Sequence, residues 1–315
     1  MNRLFIPALA CGFVLDLLLG DPRWLYHPVR LIGRLITFLE NRLRARGRNL
    51  FLSGILLTFL TVSLTMLSSA GILLLLRQLG PVPQFLGMVL LNWMGLAAKS
   101  MCTEARDVSL ALDRGLEAGR QQVARIVGRD TDRLTEEEVI KATVETVAEN
   151  TTDGVISPMF YAALGGPVLL WGFKAASTLD SMVGYKNEKY RQLGCCSARL
   201  DDLLNIIPAR LTGPMMALSA FPADLDTVNA FRILIRDHAR HQSPNCAYSE
   251  AAAAGALHIQ LGGTHDYFGV PVVKPTIGDP DRPAKREDIR SACRLLLLTA
   301  GFFLMILLLL FAFIR

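Results

Sequence analysis

The sequence lacks the short signatures by which nucleotide and metal sites usually show themselves. It contains no G-x-G-x-x-G and no G-x-x-x-x-G-K-[ST], so nothing in it supports a Rossmann or P-loop nucleotide site. It has no H-E-x-x-H either. His238 and His241 form an H-x-x-H without cysteine partners at tight spacing, which argues against structural zinc. The six cysteines include no C-x-x-C, and the adjacent Cys195 and Cys196 are poorly placed to bridge each other, so reduced thiols are expected. Charge is also scarce: Asp, Glu, Lys and Arg make up 19% of the chain against 51% apolar residues, which excludes disorder, collagen and a disulfide scaffold. No internal repeat or low-complexity tail is present.

What charge there is lies in separate blocks. Between Phe51 and Leu76 there is none, a run long enough as a helix to exceed a hydrocarbon core of roughly 30 Å. Leu295–Ile314 is a second such run, with Thr299 its only markedly polar member. Val82–Ala98 is a shorter third, set off from the first by Arg77 and the turn-forming Gly80–Pro81. Leu4–Leu19, apolar except for Asp16, is short for a span; with only Arg3 before it, it does not read as a cleaved signal. Segment 21–50 holds Arg23, Arg30, Arg34, Arg42, Arg44, Arg46 and Arg48 against Asp21 and Glu40, which by the positive-inside rule is cytoplasmic. The next two spans return the chain to that side, so 99–154 is expected to be cytoplasmic as well.

Thr135–Glu138 fits a T-x-x-E capping box, which predicts a helix from Thr135 to about Glu149. Glu138, Glu145 and Glu149 then share one face. That pattern suits either a solvated acidic stripe or a magnesium or substrate site. Two further apolar stretches are interrupted. Val155–Ala176 carries Pro158, Gly165–Gly166–Pro167 and Lys174, and Leu203–Phe221 carries Pro208, Arg210, Gly213 and Pro214. Broken backbone at membrane depth survives only when buried in protein or facing a wet cavity. The polar segment 177–202 lies between them. The expected fold is all-α: a polytopic integral membrane protein with four to six crossings, broken or re-entrant helices and cytoplasmic helical segments. Its regions run 1–98 (membrane, with the arginine-rich loop), 99–154 (cytoplasmic), 155–221 (broken helices), 222–294 (cytoplasmic) and 295–315 (last span).

Ionisable residues beside membrane helices are costly unless paired or hydrated, and here they form groups. Glu145, Glu149, Asn150 and Asp153 make one; Lys174, Asp180, Lys186, Asn187, Lys189 and Tyr190 another. Asp201, Asp202 and Arg210 make a third; His241, Ser243, Asn245 and Glu250 a fourth. Carboxylates suit Mg²⁺, and lysine and arginine suit phosphates. The residues alone leave two readings open, a phosphate-handling membrane enzyme and an anion transporter. Blander roles stay open too: snorkelling for Lys174 and Arg210, helix capping for Asp201–Asp202, and interfacial anchoring for Trp24, Tyr185 and Tyr190.

Five long runs carry a resemblance: DLLLGDPRWLYHPVRLIGRLI (16–36), ETVAENTTDGVISPMFYAALGGP (145–167), KAASTLDSMVGYKNEKYRQLG (174–194), ARLDDLLNIIPARL (198–211) and SPNCAYSEAAAAGALHIQLGG (243–263). In content and order they resemble the CobD/CbiB family, the membrane-bound adenosylcobinamide-phosphate synthases of cobalamin biosynthesis; Cys195–Cys196 is a modest departure. The resemblance implies an ATP-dependent ligase with Mg²⁺, joining adenosylcobyric acid to (R)-1-amino-2-propanol phosphate or a related amino alcohol, by way of an acyl phosphate or, less favoured, an acyl adenylate. It implies the inner membrane with a cytoplasm-facing site, lipids and other cobalamin-assembly enzymes as partners, and no nucleic acid. On its motifs we assign Glu145, Glu149 and Asp153 to Mg²⁺–ATP. Lys174, Lys186, Arg199 and Arg210 are assigned to phosphates or the corrin carboxylate, and Asp180, Asp201 or Asp202 to the base that unmasks the amine. Asn187, Tyr190, His241, Asn245, Glu250, Asp21 and Arg30 are further substrate contacts.

Overall fold

The computed structural model describes residues 3–22, 24, 26–46, 49–185, 187–267 and 269–314. In chain order the helices are α1 (Phe5–Leu19), α2 (Pro28–Arg46), α3 (Leu50–Gln78), α4 (Pro81–Trp93), α5 (Ala98–Asp113), α6 (Leu116–Val123) and α7 (Glu136–Asn150). A π-helical turn, Thr151–Ile156, leads into α8 (Ser157–Val183), then α9 (Cys195–Ser219), α10 (Thr227–Asp237) and α11 (Cys246–Leu257). An antiparallel hairpin, β1 (Leu261–Tyr267) and β2 (Val270–Ile277), precedes α12 (Arg286–Ile314). The protein is an all-α polytopic membrane protein whose one sheet among the described residues is this hairpin.

Among the described residues, four helical stretches are long and apolar enough to cross a membrane: Leu50–Gln78, Pro81–Asp113, Glu136–Val183 and Arg286–Phe313. Three contain the long uncharged runs; the fourth contains the interrupted stretch 155–176. Phe5–Leu19 is apolar but shorter. Local chemistry places the ends. The Asn49 side chain accepts from the amides of Phe51 and Leu52 at 3.0 and 3.2 Å, capping α3. Gly80, at φ 122°, turns the chain into Pro81 at the start of α4.

The chain divides into two compact units, interleaved in sequence: Met1–Ala97 with Ser157–Asn205 and Leu307–Arg315, and Ala98–Ile156 with Ile206–Ile306. In the first, α1 packs on α4 and α8, and α8 on α3. The expected break at Gly165–Gly166 is present: both residues leave helical geometry, and Gly166 has φ 66°. A side chain there would also strike the Phe5 ring, since a Cβ would lie 2.7 Å from it. The expected break at Pro208 and Pro214 is not present, and α9 runs through both prolines. Pro208 has no amide for the Leu204 carbonyl, and the Tyr161 hydroxyl donates to that carbonyl instead, at 2.8 Å. Asp201 and Asp202 therefore lie inside α9 rather than capping it.

In the second unit, α10 and α11 approach closely because Gly255 has no side chain; a Cβ there would sit 2.6 Å from the Asn229 carbonyl oxygen. Small residues (Ala217, Ala220, Ala230, Ala252, Ala253 and Ala256) fill the core between the helices. The hairpin is pinned to the 130 loop, with the Asp130 amide donating to the Asp266 carbonyl at 2.9 Å and the Gly269 amide to the Asp130 carboxylate at 2.7 Å.

Candidate functional site

The capping box at Thr135 forms as its spacing predicts. The Thr135 hydroxyl accepts from the Glu138 amide, and the Glu138 carboxylate accepts from the Thr135 amide at 2.7 Å. Glu138 is thereby used as a cap. Of the two readings of the remaining face of α7, the solvated acidic stripe is not what forms: Glu145 is only 7% exposed and Glu149 is partly buried. The π-helical turn continues directly from α7 and carries Asp153. Such turns widen the helix by one residue and recur at functional sites.

Around these carboxylates the second unit gathers a buried polar cluster. Glu145 is ion-paired with Arg129, itself 9% exposed, while its other oxygen accepts the Gly262 amide at 2.7 Å. The Cys246 thiol donates to a Glu149 oxygen at 3.2 Å. Burial, reinforced by Glu149, Asp153 and Glu250, pushes the Cys246 thiol well above its ordinary value, so it is a neutral donor. Glu250, on α11, is 6% exposed. Burial, with Glu145 and Glu149 adding to it and Lys274 and Arg129 opposing, raises Glu250 well above the usual carboxylate range. His241 is held below its ordinary value by burial, against the pull of Glu149. Its Nδ1 accepts the Ser243 amide at 3.0 Å, which leaves Nε2 to carry the proton of the neutral ring.

This cluster brings together five residues singled out from the sequence: Glu145, Glu149, Asp153, His241 and Glu250. Asn245, buried, stands at the N-cap of α11. Arg210 is exposed in the same unit, its guanidinium 4.9 Å from the Tyr248 ring centroid. Arg129 and Lys274 carried no local motif, and Gly262, though inside the 243–263 run, was not singled out; only packing of the 129 loop and the hairpin against α7 reveals them. Among the buried polar atoms here, Arg129 Nη1 and Thr152 Oγ1 have no hydrogen-bond partner among the described residues. A buried guanidinium nitrogen in that state is suited to an anionic oxygen. Among the described residues, no group of three or more His, Cys, Asp and Glu side chains is disposed to hold a metal ion by itself. Hard oxygen donors beside a guanidinium with one unpartnered nitrogen fit a magnesium–phosphate ligand better than a bare ion.

The other assigned residues lie in the first unit. His27 Nε2 is 3.6 Å from an Asp21 oxygen. Burial lowers the His27 value, Asp21 opposing and Lys174 and Arg30 reinforcing, so Asp21, Arg30 and Lys174 all bear on one imidazole. Asp201 accepts from the Asn205 amide at 3.1 Å, and the Ser157 hydroxyl donates to Asn205 at 2.6 Å. Tyr190 lies under Arg44, which donates to the Lys189 carbonyl at 2.8 Å. Asp180 and Asp202 are partly buried, while Asn187 and Arg199 are exposed. Lys186 falls outside the described residues.

The family model described as CobD/Cbib protein matches residues 9–296. The chain is 49% identical over 288 residues to the cobalamin biosynthesis protein CobD of Listeria monocytogenes serotype 4b, covering 90% of this chain and 91% of that protein. It is 51% identical over 284 residues to the protein of the same name from Geobacter metallireducens, covering 90% and 89%. Against the cobalamin biosynthesis protein CbiB of Salmonella arizonae it is 44% identical over 298 residues, covering 92% of each. No solved structure matches.

Proposed function

The chain belongs to the CobD/CbiB protein family, and on that premise we propose that it is an ATP-dependent amide ligase of cobalamin biosynthesis. The reaction joins a propionate carboxylate of adenosylcobyric acid to the amine of (R)-1-amino-2-propanol phosphate, giving adenosylcobinamide phosphate. One observation carries this reading: the buried cluster of carboxylates, cations and a neutral imidazole around Glu145, Glu149 and Glu250.

A carboxylate is a poor electrophile and an alkylammonium is no nucleophile, so the two do not combine near neutral pH. Transfer of the γ-phosphoryl group of ATP to the carboxylate gives an acyl phosphate and ADP. Attack by the deprotonated amine on the acyl carbon then forms the amide and releases inorganic phosphate, while a base takes the ammonium proton. Phosphoryl transfer depends mostly on positioning and charge stabilisation. Arg129 Nη1 would receive an anionic oxygen, and His241 Nε2–H and the raised Glu250 carboxyl would donate hydrogen bonds without adding charge. Glu149 and Asp153 would hold Mg²⁺, because this ion takes one or two carboxylates and completes its shell with phosphate oxygens and water. When bound there it neutralises charge on the triphosphate. Lys174, Lys186, Arg199 and Arg210 are the proposed counter-charges for the substrates, and Asp201, oriented by Asn205, the proposed base. The arginine-rich segment 21–50 supports a cytoplasm-facing site in the inner membrane.

The test is turnover by the full chain in detergent, where no second compartment exists. ADP and phosphate release should require both organic substrates and match amide formation one to one. Glu149→Gln should lower the rate about 100-fold in protein that inserts normally. ATP consumption indifferent to both substrates would sink the ligase reading, and AMP as the product would sink the acyl phosphate.

A further inference from the structure

Several arginines among the described residues are paired with carboxylates, as in Arg44–Glu40, Arg232–Asp279 and Arg282–Asp288. Arg30 and Arg34 on α2 are not. They stand one turn apart on the exposed face, and among the described residues neither is within ion-pair distance of a carboxylate. Like charges at that spacing destabilise a helix. Tyr26 gathers both, with its ring centroid 5.0 Å from the Arg34 guanidinium and 6.0 Å from that of Arg30.

The two guanidiniums line a cavity of about 620 Å³ within the first unit. Thr37 and Asn41 extend the polar wall along α2, Met182 of α8 lines it as well, and the cavity is open to the surface. Gly33 lines it without a side chain, and a Cβ at that position would stand in ordinary contact with the Met182 sulfur, at 3.4 Å. Beside the cationic row runs an apolar one on the same helix, Leu31 and Phe38, each 55% exposed. Thus α2 presents cations and bare hydrocarbon side by side while packing on α3 and α8, both parts of candidate spans. That pairing of features belongs to helices that lie in the headgroup layer.

We propose that this cavity is a binding site for the headgroup of an anionic phospholipid. Its phosphate sits between Arg30 and Arg34, and its acyl chains run over Leu31 and Phe38. Charge complementarity selects the phosphate, and the exposed apolar row selects a lipid over a soluble ester, which has nothing to place there. The site does not depend on the ligase reading. A soluble phosphate monoester shares the headgroup chemistry, and the resemblance places Arg30 among the substrate contacts, so the test separates the two sources.

The experiment reconstitutes the full chain in nanodiscs of phosphatidylcholine with graded phosphatidylglycerol and counts retained lipids by native mass spectrometry after detergent exchange. Wild type should retain phosphatidylglycerol over phosphatidylcholine. Arg30→Ala with Arg34→Ala should lose that preference by roughly 30-fold, about fivefold for each guanidinium, while Arg114→Ala, exposed in the turn that follows α5 in the second unit, keeps it. Gly33→Leu fills the cavity with both charges in place and should also lose it, so the question is answered even if the double variant fails to insert. Undiminished preference in either inserted variant would overturn the proposal. So would displacement of the retained lipid by glycerol 3-phosphate at equal concentration, which would assign the cavity to a soluble ester.

Discussion

Arg129 and Glu145 form an ion pair in which both side chains are almost wholly buried, and the second oxygen of Glu145 is taken by the Gly262 amide at 2.7 Å. One carboxylate therefore ties a loop, the middle of α7 and the root of the hairpin together. Removing one partner leaves the other charge buried without compensation, which costs more than the pair contributes.

Arg129→Met should accordingly destabilise the protein by about 3–5 kcal/mol, read as a fall in the unfolding midpoint in detergent. Adding Glu145→Leu should recover much of that loss, because no unpaired charge then remains. A double variant as unstable as the single one would show that the Gly262 contact, rather than the ion pair, dominates.

The Tyr161 hydroxyl substitutes for the amide that Pro208 lacks. Tyr161→Phe should cost about 1–3 kcal/mol by leaving the Leu204 carbonyl unsatisfied. In a Pro208→Ala background, where residue 208 regains an amide, the same change should cost much less. Equal costs in a double-mutant cycle would break the link.

His241 gives a pH dependence with a definite sign. Its folded value lies below the ordinary 6.5, so between the two values the unfolded chain binds the extra proton. Its contribution to stability is present above about pH 6.5 and is lost as pH falls below it. His241→Asn keeps an acceptor for the Ser243 amide and does not titrate. The wild-type unfolding midpoint should fall relative to this variant as pH drops from about 7.5 to about 5.5; parallel curves would refute the buried neutral ring.

Gly255→Ala should cost about 1–3 kcal/mol by overpacking, because the new Cβ would meet the Asn229 carbonyl at 2.6 Å and the Ala230 Cα at 2.8 Å. Gly301→Ala, with open space around it, is the matched control and should leave the unfolding midpoint unchanged.

Much of the fold was legible because its signals are local. Uncharged length marks Leu50–Gln78 and the apolar part of Arg286–Phe313, the Thr135–Glu138 box marks the start of α7, and Gly165–Gly166 marks the break in α8. Proline misled at Pro208 because its partner hydroxyl comes from Tyr161, 43 residues before the carbonyl it satisfies. The hairpin after α11 was missed as well, being held by Asp130 and Glu145 from far earlier in the chain. The sequence also marked Glu145, Glu149, Asp153, His241 and Glu250 as candidates, through carboxylate spacing and the motifs of the family resemblance.

By itself, then, the sequence determined the family, the all-α membrane character and which polar residues to watch. These follow from hydropathy, capping and motif order, all written within short stretches of chain. Only the tertiary structure decided that the acidic face of α7 is buried rather than solvated, that Arg129 and Lys274 answer it, and that Arg30 and Arg34 line an open cavity. The reason is that the state of a charge depends on what distant segments bring within a few ångströms of it, and no local pattern records that distance.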